Sequence, residues 1–524
     1  MVNLKTSTDM EQRSKEELKD KHWSEILVDR LMAEKKAPYV LTGGISTSGP
    51  AHLGTICEFL YSGTLLEVLQ KRGVDAKFYF IGDILDNFDG VPAELKDREG
   101  EFTQYLGMPL SKVPDPFKCH GSYGEHYLAQ AEEAIKILGT KANVVKVNEL
   151  YESGGFDPYT RIYLKNEVKV KEVVARTSLR KVEDMKDWSP IMPICEKCGK
   201  VITTRVTRHD DEEYEYVCDK NANKAQSCGF KGRDRISNHH YKLQWRLHWP
   251  TWQAYYNSSI EGSGVDHMTR GGSADTAVAI HKEILNREPP ILYRFGWFFL
   301  QGGKKFSKSA GTGIGALEIL KLVPPEIVKY ELIVPNVQQN KTLDPTGENM
   351  IKVYGDIERV SKLPVSDNRA DQKKLLAMGL AGKPHWKAPF LDMLLDYQIY
   401  RDWGKVGDLL SDREGVAYLA PFITEWLSQG FEPEQYNFSI RPQKISEHKE
   451  LVGKFAEALK PGMNDLDVHN LVYGVTGDDK EQAGALFASV YKAIIGKDKG
   501  PRLGKLIAAI GVEKAKAMLA SAVK

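Results

Sequence analysis

Two glycine-rich segments carry residues that could act on a phosphate group. The first ends in Ala51-His52-Leu53-Gly54-Thr55, where glycine lets the backbone approach a phosphate and His52 supplies an imidazole. The second spans 302–313 and carries lysines whose ammonium groups can stabilise the charge that builds on a transferring phosphate. Its candidate residues are Lys305, Ser307, Lys308 and Ser309. Each segment alone also suits a capped turn or a solvated surface loop, so the elements around them must decide.

The pattern around His52 predicts a βαβ unit. Pro38–Thr42 has the composition of a short buried strand, and Lys77–Ile81 has that of the next one. Between them, Leu53–Gly73 carries apolar residues mostly three and four positions apart, which suits a helix packed on a sheet. The His52 turn is therefore expected between a strand and the start of a helix in a parallel nucleotide-binding sheet.

The rest of the chain predicts an α/β fold with insertions. We expect a Rossmann-type parallel-sheet catalytic domain in two halves, 1–105 and 241–347, separated by a zinc-bearing insertion at 106–240. Residues 348–524 are predicted to form an all-α C-terminal domain, because nearly every segment there has amphipathic helical spacing. The clearest such helices are Asp392–Leu410, Glu447–Leu459, Lys480–Ile495 and Leu503–Lys524.

Two further predictions concern the second half of the sheet. Gly264–Asn286 is predicted to be helical, and the apolar aromatic run Ile291–Leu300 is predicted to be a central strand. The lysine-containing segment would then follow a strand, as the His52 turn does.

Four of the six cysteines lie close together in the predicted insertion. A Cys-x-x-Cys pair followed by two more thiols can hold one zinc ion tetrahedrally, with no position open for catalysis. The predicted ligands of this structural Zn²⁺ are Cys195, Cys198, Cys218 and Cys228. The other two, Cys57 and Cys119, are expected to be buried free thiols.

Composition limits the partners. With 72 Lys and Arg against 71 Asp and Glu, a polyanion would have to meet local basic patches rather than overall charge. No apolar run is long enough to span a membrane, and Met1–Lys21 lacks the apolar centre of a signal peptide. We therefore expect a cytoplasmic protein without a membrane partner.

Taken together and in this order, the two phosphate-handling segments resemble the signatures of class I aminoacyl-tRNA synthetases. Those signatures are His-Ile-Gly-His after the first strand and Lys-Met-Ser-Lys-Ser after a later one. Here Thr55 replaces the last histidine and Phe306 the methionine. A threonine cannot act as an imidazole, so only a hydrogen-bonding role is open to Thr55.

Further segments narrow the resemblance to class I lysyl-tRNA synthetases. That group has a Trp-Pro-x-x-Trp segment, then Glu-Pro-x-Gly-Lys-Asp-His and then Gly-Gly-Ser, which are similar to 249–252, 261–267 and 271–273 here. The segments at 43–49 and 83–86 also look like those of the group. Two positions depart from the pattern: Gly262 replaces its proline and Val265 its lysine.

The resemblance implies activation of L-lysine with ATP and Mg²⁺ and its transfer to the tRNA for lysine. We expect the protein to be a monomer. It implies catalytic roles for His52, Lys305 and Lys308. It implies contact with ATP for Gly49, Gly54, Thr55, His267, Gly272, Ser307 and Ser309. The candidates for binding lysine are Gly44, Ser46, Asp83, Trp249, Trp252, Glu261 and Asp266, with indole faces against the methylene chain and a carboxylate on the ammonium.

Other functions remain open at this point. A basic residue opposite the substrate would favour glutamate, a zinc ion inside the pocket would favour cysteine, and an arginyl enzyme would need yet another pocket. The chain could also be a non-catalytic RNA-binding relative that kept the fold, although an intact His52, Lys305 and Lys308 argue against this. A small nucleotidyltransferase is disfavoured by the large helical tail and the cysteine cluster.

Overall fold

The computed structural model describes residues 21–300, 315–364 and 369–524. The four candidate residues of the second phosphate-handling segment, at positions 305 and 307–309, lie outside these ranges. The chain divides into two compact units. The first contains residues up to 320, 325–343 and 364–382, and the second contains 321–324, 344–363 and 383–524.

A parallel five-stranded sheet forms the centre of the first unit, as the sequence predicts. Its strands are β1 (Tyr39–Ser46), β2 (Ala76–Asp83), β3 (Asn143–Lys146), β9 (Ile260–Gly264) and β10 (Ile291–Phe295). Their order across the sheet is β10-β9-β1-β2-β3, and every pair of neighbouring strands is parallel. The predicted βαβ unit is confirmed, because the helix Leu53–Lys71 connects β1 to β2.

Helices pack on this sheet and also form other parts of the first unit. They are α1 (Trp23–Glu34), α2 (Leu53–Lys71), α3 (Glu99–Phe102), α4 (Tyr123–Ile137), α5 (Val147–Glu152), α6 (Asp157–Lys165), α7 (Glu167–Thr177), α8 (Trp245–Tyr255), α9 (Val265–Met268), α10 (Ser273–Glu283), α11 (Ala316–Leu322), α12 (Pro325–Ile333) and, further along the chain, α14 (Arg369–Ala381). Thirteen residues of α2 are buried, so this helix is packed on nearly all sides. The N-terminal end of α2 follows the His52 turn, which comes after the carboxyl end of β1.

The two predictions for the second half of the sheet are wrong in detail. Ile291–Leu300 is not one central strand. β10 is an edge strand of the five-stranded sheet, and it ends at Phe295, just before Gly296. A Cβ on Gly296 would come 2.3 Å from the carbonyl oxygen of Gln339, so the backbone turns there against a neighbouring segment. The run then continues as β11 (Phe298–Leu300), which pairs with β12 (Lys341–Leu343). Likewise, Gly264–Asn286 forms two helices, α9 and α10, separated by a turn at Gly271.

The segment predicted to be an insertion contains small antiparallel sheets. β5 (Thr204–His209), β6 (Glu213–Cys218) and β7 (Lys231–Arg235) form one, and β4 (Ile191–Pro193) pairs with β8 (Tyr241–Leu243). Cys195 and Cys218 belong to the same buried cluster as Ile81 and Trp249. This segment therefore shares an apolar core with the five-stranded sheet.

The second unit is helical, as predicted. Its helices are α13 (Gly347–Ser361), α15 (Phe390–Tyr400), α16 (Trp403–Leu409), α17 (Arg413–Ser428), α18 (Lys449–Ala458), α19 (Asp465–Thr476), α20 (Lys480–Ile495), α21 (Leu503–Ile510) and α22 (Val512–Val523). The predicted helix at 480–495 has these bounds, whereas two others divide at Arg401 and at Gly511, both of which have positive φ. Among the described residues, no helix has both the length and the apolar character that a membrane span requires.

Candidate active site

A cavity of about 600 Å³ opens where β1, β9 and β10 end. These strands are neighbours in the sheet, and parallel α/β sheets bind ligands outside the carboxyl ends of such strands. The predicted site residues that line the cavity are Gly44, Ser46, His52, Gly54, Thr55, Trp252, Asp266 and His267. The described site residues that do not line it are Gly49, Asp83, Trp249, Glu261 and Gly272.

The His52 ring is exposed to the cavity at the start of α2. The backbone N–H of His52 donates to Oγ1 of Thr55 at 3.2 Å, so the threonine hydroxyl helps to fix the first turn of the helix. A Cβ on Gly54 would lie 2.7 Å from Cε1 of His52, so only glycine leaves room for the imidazole in this position. The surrounding protein desolvates the ring and lowers the pKa of His52, which favours the neutral imidazole.

Two side chains of helix α4 bind the backbone of the His52 turn. The hydroxyl of Tyr123 donates to the carbonyl oxygen of Ser48 at 2.7 Å. The N–H of Ala51 donates to Oε1 of Gln130 at 3.2 Å. Two backbone groups of the turn are thus bound by side chains of one helix, which limits how far His52 can move.

The described residues that flank the lysine-containing loop also reach this turn. β11 precedes the loop, and Gly315, which follows it, forms an antiparallel bridge with His52. The N–H of Ala316 donates to the carbonyl oxygen of Ala51 at 2.7 Å. The residues that directly follow the second phosphate-handling segment in the chain are therefore joined to the His52 turn by backbone contacts.

Both carboxylate oxygens of Glu261, behind the cavity wall, accept hydrogen bonds from neighbouring side chains. Its Oε1 accepts the indole N–H groups of Trp249 at 3.0 Å and of Trp252 at 3.2 Å. Its Oε2 accepts from Gln253 at 2.7 Å and from Thr42 at 2.8 Å. Burial raises the pKa of Glu261, and these donors oppose that rise. The carboxylate fixes two indoles, and the Trp252 ring lines the cavity.

Asp83 is also bound, through its Oδ2, whereas its buried Oδ1 has no hydrogen-bonding partner among the described residues. It is buried and pairs with Nζ of Lys242 at 2.8 Å. The same ammonium lies 3.1 Å from Oδ1 of Asp86, whose carboxyl group lines the cavity. Burial raises the pKa of Asp83, whereas Lys242 outweighs burial at Asp86 and lowers its pKa. One buried lysine thus neutralises much of the charge of both aspartates.

Sequence reasoning missed Glu58, the acidic side chain best placed for a cationic ligand. Glu58 lies on α2, lines the cavity and receives no side-chain hydrogen bond from any described residue. Burial raises its pKa well above the usual value, and the nearby charge of Glu261 adds to this. Its position six residues after His52 gave no signal, because a glutamate on an amphipathic helix is usually solvated.

Aromatic rings complete the wall. Trp245, also missed, lines the cavity and stacks on Trp249 with 6.0 Å between ring centroids and 7° between planes. His267 lies 5.6 Å from Trp245 by ring centroids, and burial lowers its pKa. Trp297, at the break between β10 and β11, is 47% exposed and also faces the cavity.

Gly272 lies behind this wall and keeps the His267 segment close. A Cβ there would come 2.3 Å from the carbonyl oxygen of His267, so the two backbones meet at a distance that only glycine allows. Its own carbonyl oxygen accepts from Arg246 at 2.9 Å.

The four predicted zinc ligands converge outside the cavity. The sulfur atoms of Cys195, Cys198, Cys218 and Cys228 all lie within 4.8 Å of one another. The distance between the Sγ atoms of Cys195 and Cys228 is 3.6 Å, and that between the Sγ atoms of Cys198 and Cys218 is 3.7 Å. A tetrahedron with Zn–S bonds of about 2.3 Å has edges of about 3.8 Å, so the four thiols fit a zinc ion.

A second group of side chains that could hold a metal ion was not predicted. Ligand atoms of Asp115, Cys119, His120 and His126 also lie within 4.8 Å of one another. Cys119 is exposed, so its assignment as a buried free thiol is wrong, whereas that of Cys57 is confirmed. This group is linked to the His52 turn through Gln130. Nε2 of Gln130 lies 3.3 Å from Nε2 of His126, and its Oε1 accepts from the N–H of Ala51.

Comparison with known proteins identifies relatives over most of the chain. A family described as tRNA synthetases class I (K) matches residues 21–380. A lysine–tRNA ligase of Archaeoglobus fulgidus is 31% identical, with 94% of this chain and 98% of that protein aligned. One from Thermoplasma acidophilum is 30% identical, with 92% and 96% aligned. Among solved structures, a glutamate tRNA ligase from Elizabethkingia meningosepticum has a TM-score of 0.42 and 12% identity, covering 93% of this chain and 99% of that one.

Proposed function

The chain belongs to the class I (K) family of tRNA synthetases, and from this premise we propose that it is a lysine–tRNA ligase whose active site is the cavity beside His52. The reaction joins L-lysine to ATP as lysyl-adenylate and then transfers the lysyl group to tRNA. The cavity must therefore hold an amino acid with a cationic end next to a nucleotide.

The Glu58 carboxyl group is the observation that best supports lysine as the substrate. It has no hydrogen-bonding partner among the described residues and is half-buried in the cavity wall, so an arriving ammonium would be its ion-pair partner. Asp83 and Glu261 are bound to Lys242 and to the indoles, and Asp266 is exposed at the rim. We propose that Glu58 recognises the side-chain ammonium of lysine, with Asp266 as the competing candidate.

The remaining wall fits the rest of the lysine side chain. Trp252 and Trp245 offer indole surfaces to the methylene groups and to the cation. Among the described residues that line the cavity, none is Lys or Arg, so the basic partner that a glutamate substrate would need is missing from that set. The four-cysteine cluster lies outside the lining, which disfavours a zinc-based selection of cysteine.

The chemistry then follows from charge stabilisation. The lysine carboxylate attacks the α-phosphorus in line, the bond to the bridging oxygen breaks, and pyrophosphate leaves with the Mg²⁺ that accompanied ATP. We propose that His52 donates a hydrogen bond to a phosphate oxygen and that Lys305 and Lys308 bring positive charge to the same group. Gly49, Gly54 and Thr55 form the backbone frame of the turn, and His267, Gly272, Ser307 and Ser309 are the other proposed contacts to ATP.

Transfer to tRNA completes the reaction. The 2′-hydroxyl of the terminal adenosine attacks the activated carbonyl and releases AMP. We propose that the helical unit binds the anticodon, that the enzyme acts as a monomer in the cytosol, and that bound tRNA promotes activation.

Two metal ions are proposed as structural elements of the first unit. Cys195, Cys198, Cys218 and Cys228 would hold Zn²⁺ in a closed set of four thiolates. The mixed set around Cys119 provides one carboxylate, one thiol and two imidazoles, a combination that also suits zinc. Neither set reaches the cavity, so the ions would stabilise structure rather than polarise substrate.

ATP consumption by the purified protein with each of the twenty amino acids, with and without total tRNA, tests this function. Lysine-dependent turnover that rises with tRNA is expected. Turnover with another amino acid would keep the synthetase chemistry and overturn the role of Glu58. Silence of a folded protein under every condition would overturn the catalytic assignment in favour of a non-catalytic RNA-binding relative.

A further inference from the structure

A buried lysine lies behind one wall of the active-site cavity. Lys341 belongs to β12, and among the described residues it forms no ion pair with a carboxylate. Its ammonium nitrogen instead donates to the carbonyl oxygens of Gln339 at 2.9 Å, Val337 at 3.1 Å and Asn336 at 3.2 Å, all in the turn 336–340. Removing an ammonium from water without a counter-charge is costly, and ionisable groups perturbed in this way cluster at functional sites.

The turn that Lys341 holds also fixes Trp297, which faces the cavity. The backbone N–H of Trp297 donates to Oδ1 of Asn340 at 3.0 Å, and its carbonyl oxygen accepts from the backbone N–H of Lys341 at 2.8 Å. The N–H of Gly296 donates at 3.0 Å to the carbonyl oxygen of Val337, which also accepts from the Lys341 ammonium. Both backbone groups of Trp297 are thus bound to this turn, so the turn sets where Trp297 lies.

The same ammonium also contacts helix α2. Its nitrogen lies 5.1 Å from the ring centroid of Tyr61, a distance at which the ring face attracts a cation. The ring centroid of Tyr61 lies 5.4 Å from that of Phe295, and the thiol of Cys57 donates to the Tyr61 hydroxyl oxygen at 3.7 Å. Phe295 and Cys57 both line the cavity, so Lys341 joins the wall formed by α2 to the wall that carries Trp297.

The indole of Trp297 is available to a ligand, because it is exposed and no described residue stacks on it or hydrogen-bonds to it. We propose that Lys341 is a positioning residue for aminoacylation: its ammonium fixes the turn that aims the Trp297 indole at the ligand in the cavity. Trp297 touches the ligand, and Lys341 acts through it. The inference rests on the proposed lysine–tRNA ligase function.

The protonation of Lys341 gives this role a signature in pH. An ammonium has three N–H donors for the three carbonyls, whereas the neutral amine has two and no charge to offer the ring. Burial lowers the pKa of Lys341 to about 8. The titratable groups that face it from α2 are Cys57 and Tyr61. Burial raises both of their pKa values, that of Cys57 to about 12, so neither ionises in this range. The hold on the turn should therefore weaken as the pH rises through the pKa of Lys341.

The first test is a double-mutant cycle in the full-length protein with transcribed tRNA for lysine. Lys341→Met keeps the apolar length of the side chain, and it should lower kcat/KM for lysine by about tenfold to a hundredfold, the effect of an error of about 1 Å at a site. Added to Trp297→Ala, it should change kcat/KM by less than about twofold, because both substitutions act through one indole. Full additivity would overturn the proposal. Lys329→Met is the matched control, since Lys329 is a half-buried lysine of α12 outside the cavity lining.

Asn340 tests the same link from an exposed position, and it decides the matter if Lys341→Met does not fold. Asn340→Ala removes the acceptor for the N–H of Trp297 and should lower kcat/KM, whereas Asn340→Asp keeps an acceptor oxygen and should restore most of it. Wild-type kcat/KM in Asn340→Ala would overturn the proposal.

The pH profile separates the charge of Lys341 from its packing. The advantage of the wild-type protein over Lys341→Met should shrink as the pH rises through about 8. An advantage that stays constant across that range would show that the ammonium has no part. These results are distinct from failure of the proposed function, in which the wild-type protein itself would form no lysyl-tRNA.

Discussion

Gly54 makes room for the imidazole of His52: a Cβ at position 54 would lie 2.7 Å from Cε1 and 2.9 Å from Nδ1 of the ring. Because the backbone at Gly54 does not have positive φ, alanine is compatible with its conformation and the clash falls on the ring itself. The first turn of α2 therefore acts as a spacer that sets the direction of His52.

Gly54→Ala should turn His52 away from the phosphate without unfolding the protein. We expect kcat for lysyl-adenylate formation to fall by about tenfold to a hundredfold, since an error of about 1 Å in the position of a catalytic group has this effect. The thermal midpoint should change little. Gly90→Ala is the control, because a Cβ at Gly90 meets no atom within 4 Å. Full activity of Gly54→Ala would remove His52 from the mechanism or show that its ring can adapt.

Glu58→Gln should raise the KM for lysine by about tenfold to a hundredfold, the usual range for loss of a charge-assisted hydrogen bond. The KM for ATP should stay within about twofold, because the amide keeps the shape of the wall. Asp266→Asn is the comparison, since Asp266 is the other acidic residue proposed at the cavity. A larger increase with Asp266→Asn than with Glu58→Gln would transfer recognition of the ammonium to Asp266.

Lysine binding should strengthen as the pH rises through the pKa of Glu58. Burial, with the charge of Glu261, raises that pKa in the empty site, so the free protein keeps Glu58 protonated over a wider pH range than usual. The lysine ammonium needs the ionised carboxylate, so binding requires loss of one proton below the raised pKa. Affinity should then increase by at most about tenfold per pH unit and level off above the pKa. Calorimetric titration with lysine measures this, and Glu58→Gln should flatten the profile.

The sequence predicted the outline of this site but not its electrostatics. The His52 turn was predictable only together with the lysine-containing segment and their order in the chain, because a glycine turn between a strand and a helix is by itself common. The roles of the acids were not. Lys242, which binds Asp83, is 159 residues away in the chain. The spacing of Glu261 from Trp249 and Trp252 does not reveal that both indoles donate to its carboxylate. Nothing in the local sequence separates Glu58, with no donor among the described residues, from a solvated glutamate.

The errors in the second half of the sheet have a local cause. Gly296 and Gly271 interrupt runs whose apolar spacing continues on both sides, so periodicity alone joined elements that the backbone separates. Close approach of Gln339 at Gly296 and a positive φ at Gly271 decide where the breaks fall. The second group of potential metal ligands was not predicted because its spacing, from Asp115 to His126, lacks a paired-cysteine pattern.

Loss of either metal group should be visible in metal content and stability. Cys198→Ser should remove about one equivalent of zinc and lower the thermal midpoint by about 5 °C or more, because the closed site contributes directly to folding. His126→Ala should remove a second equivalent and also reduce kcat, since His126 contacts Gln130, which binds the turn at Ala51. Cys57→Ser is the control for metal content only: Cys57 belongs to neither group, although it is buried and lines the cavity. A single equivalent in the wild-type protein would rule out the second ion.

Lys308→Ala should affect the chemical step far more than the binding of ATP. A lysine that meets charge developing on the α-phosphate stabilises the transition state more than the ground state, so its loss lowers kcat with little change in the dissociation constant. We expect adenylate formation to slow by about a hundredfold to a thousandfold. Single-turnover measurement with saturating lysine and tRNA separates this step from product release. Lys304→Ala, four residues earlier in the same segment, is the control for a general loss of positive charge. If Lys304→Ala slows the step equally, the loop acts through its overall charge. If neither variant slows it, Lys308 has no part in the mechanism.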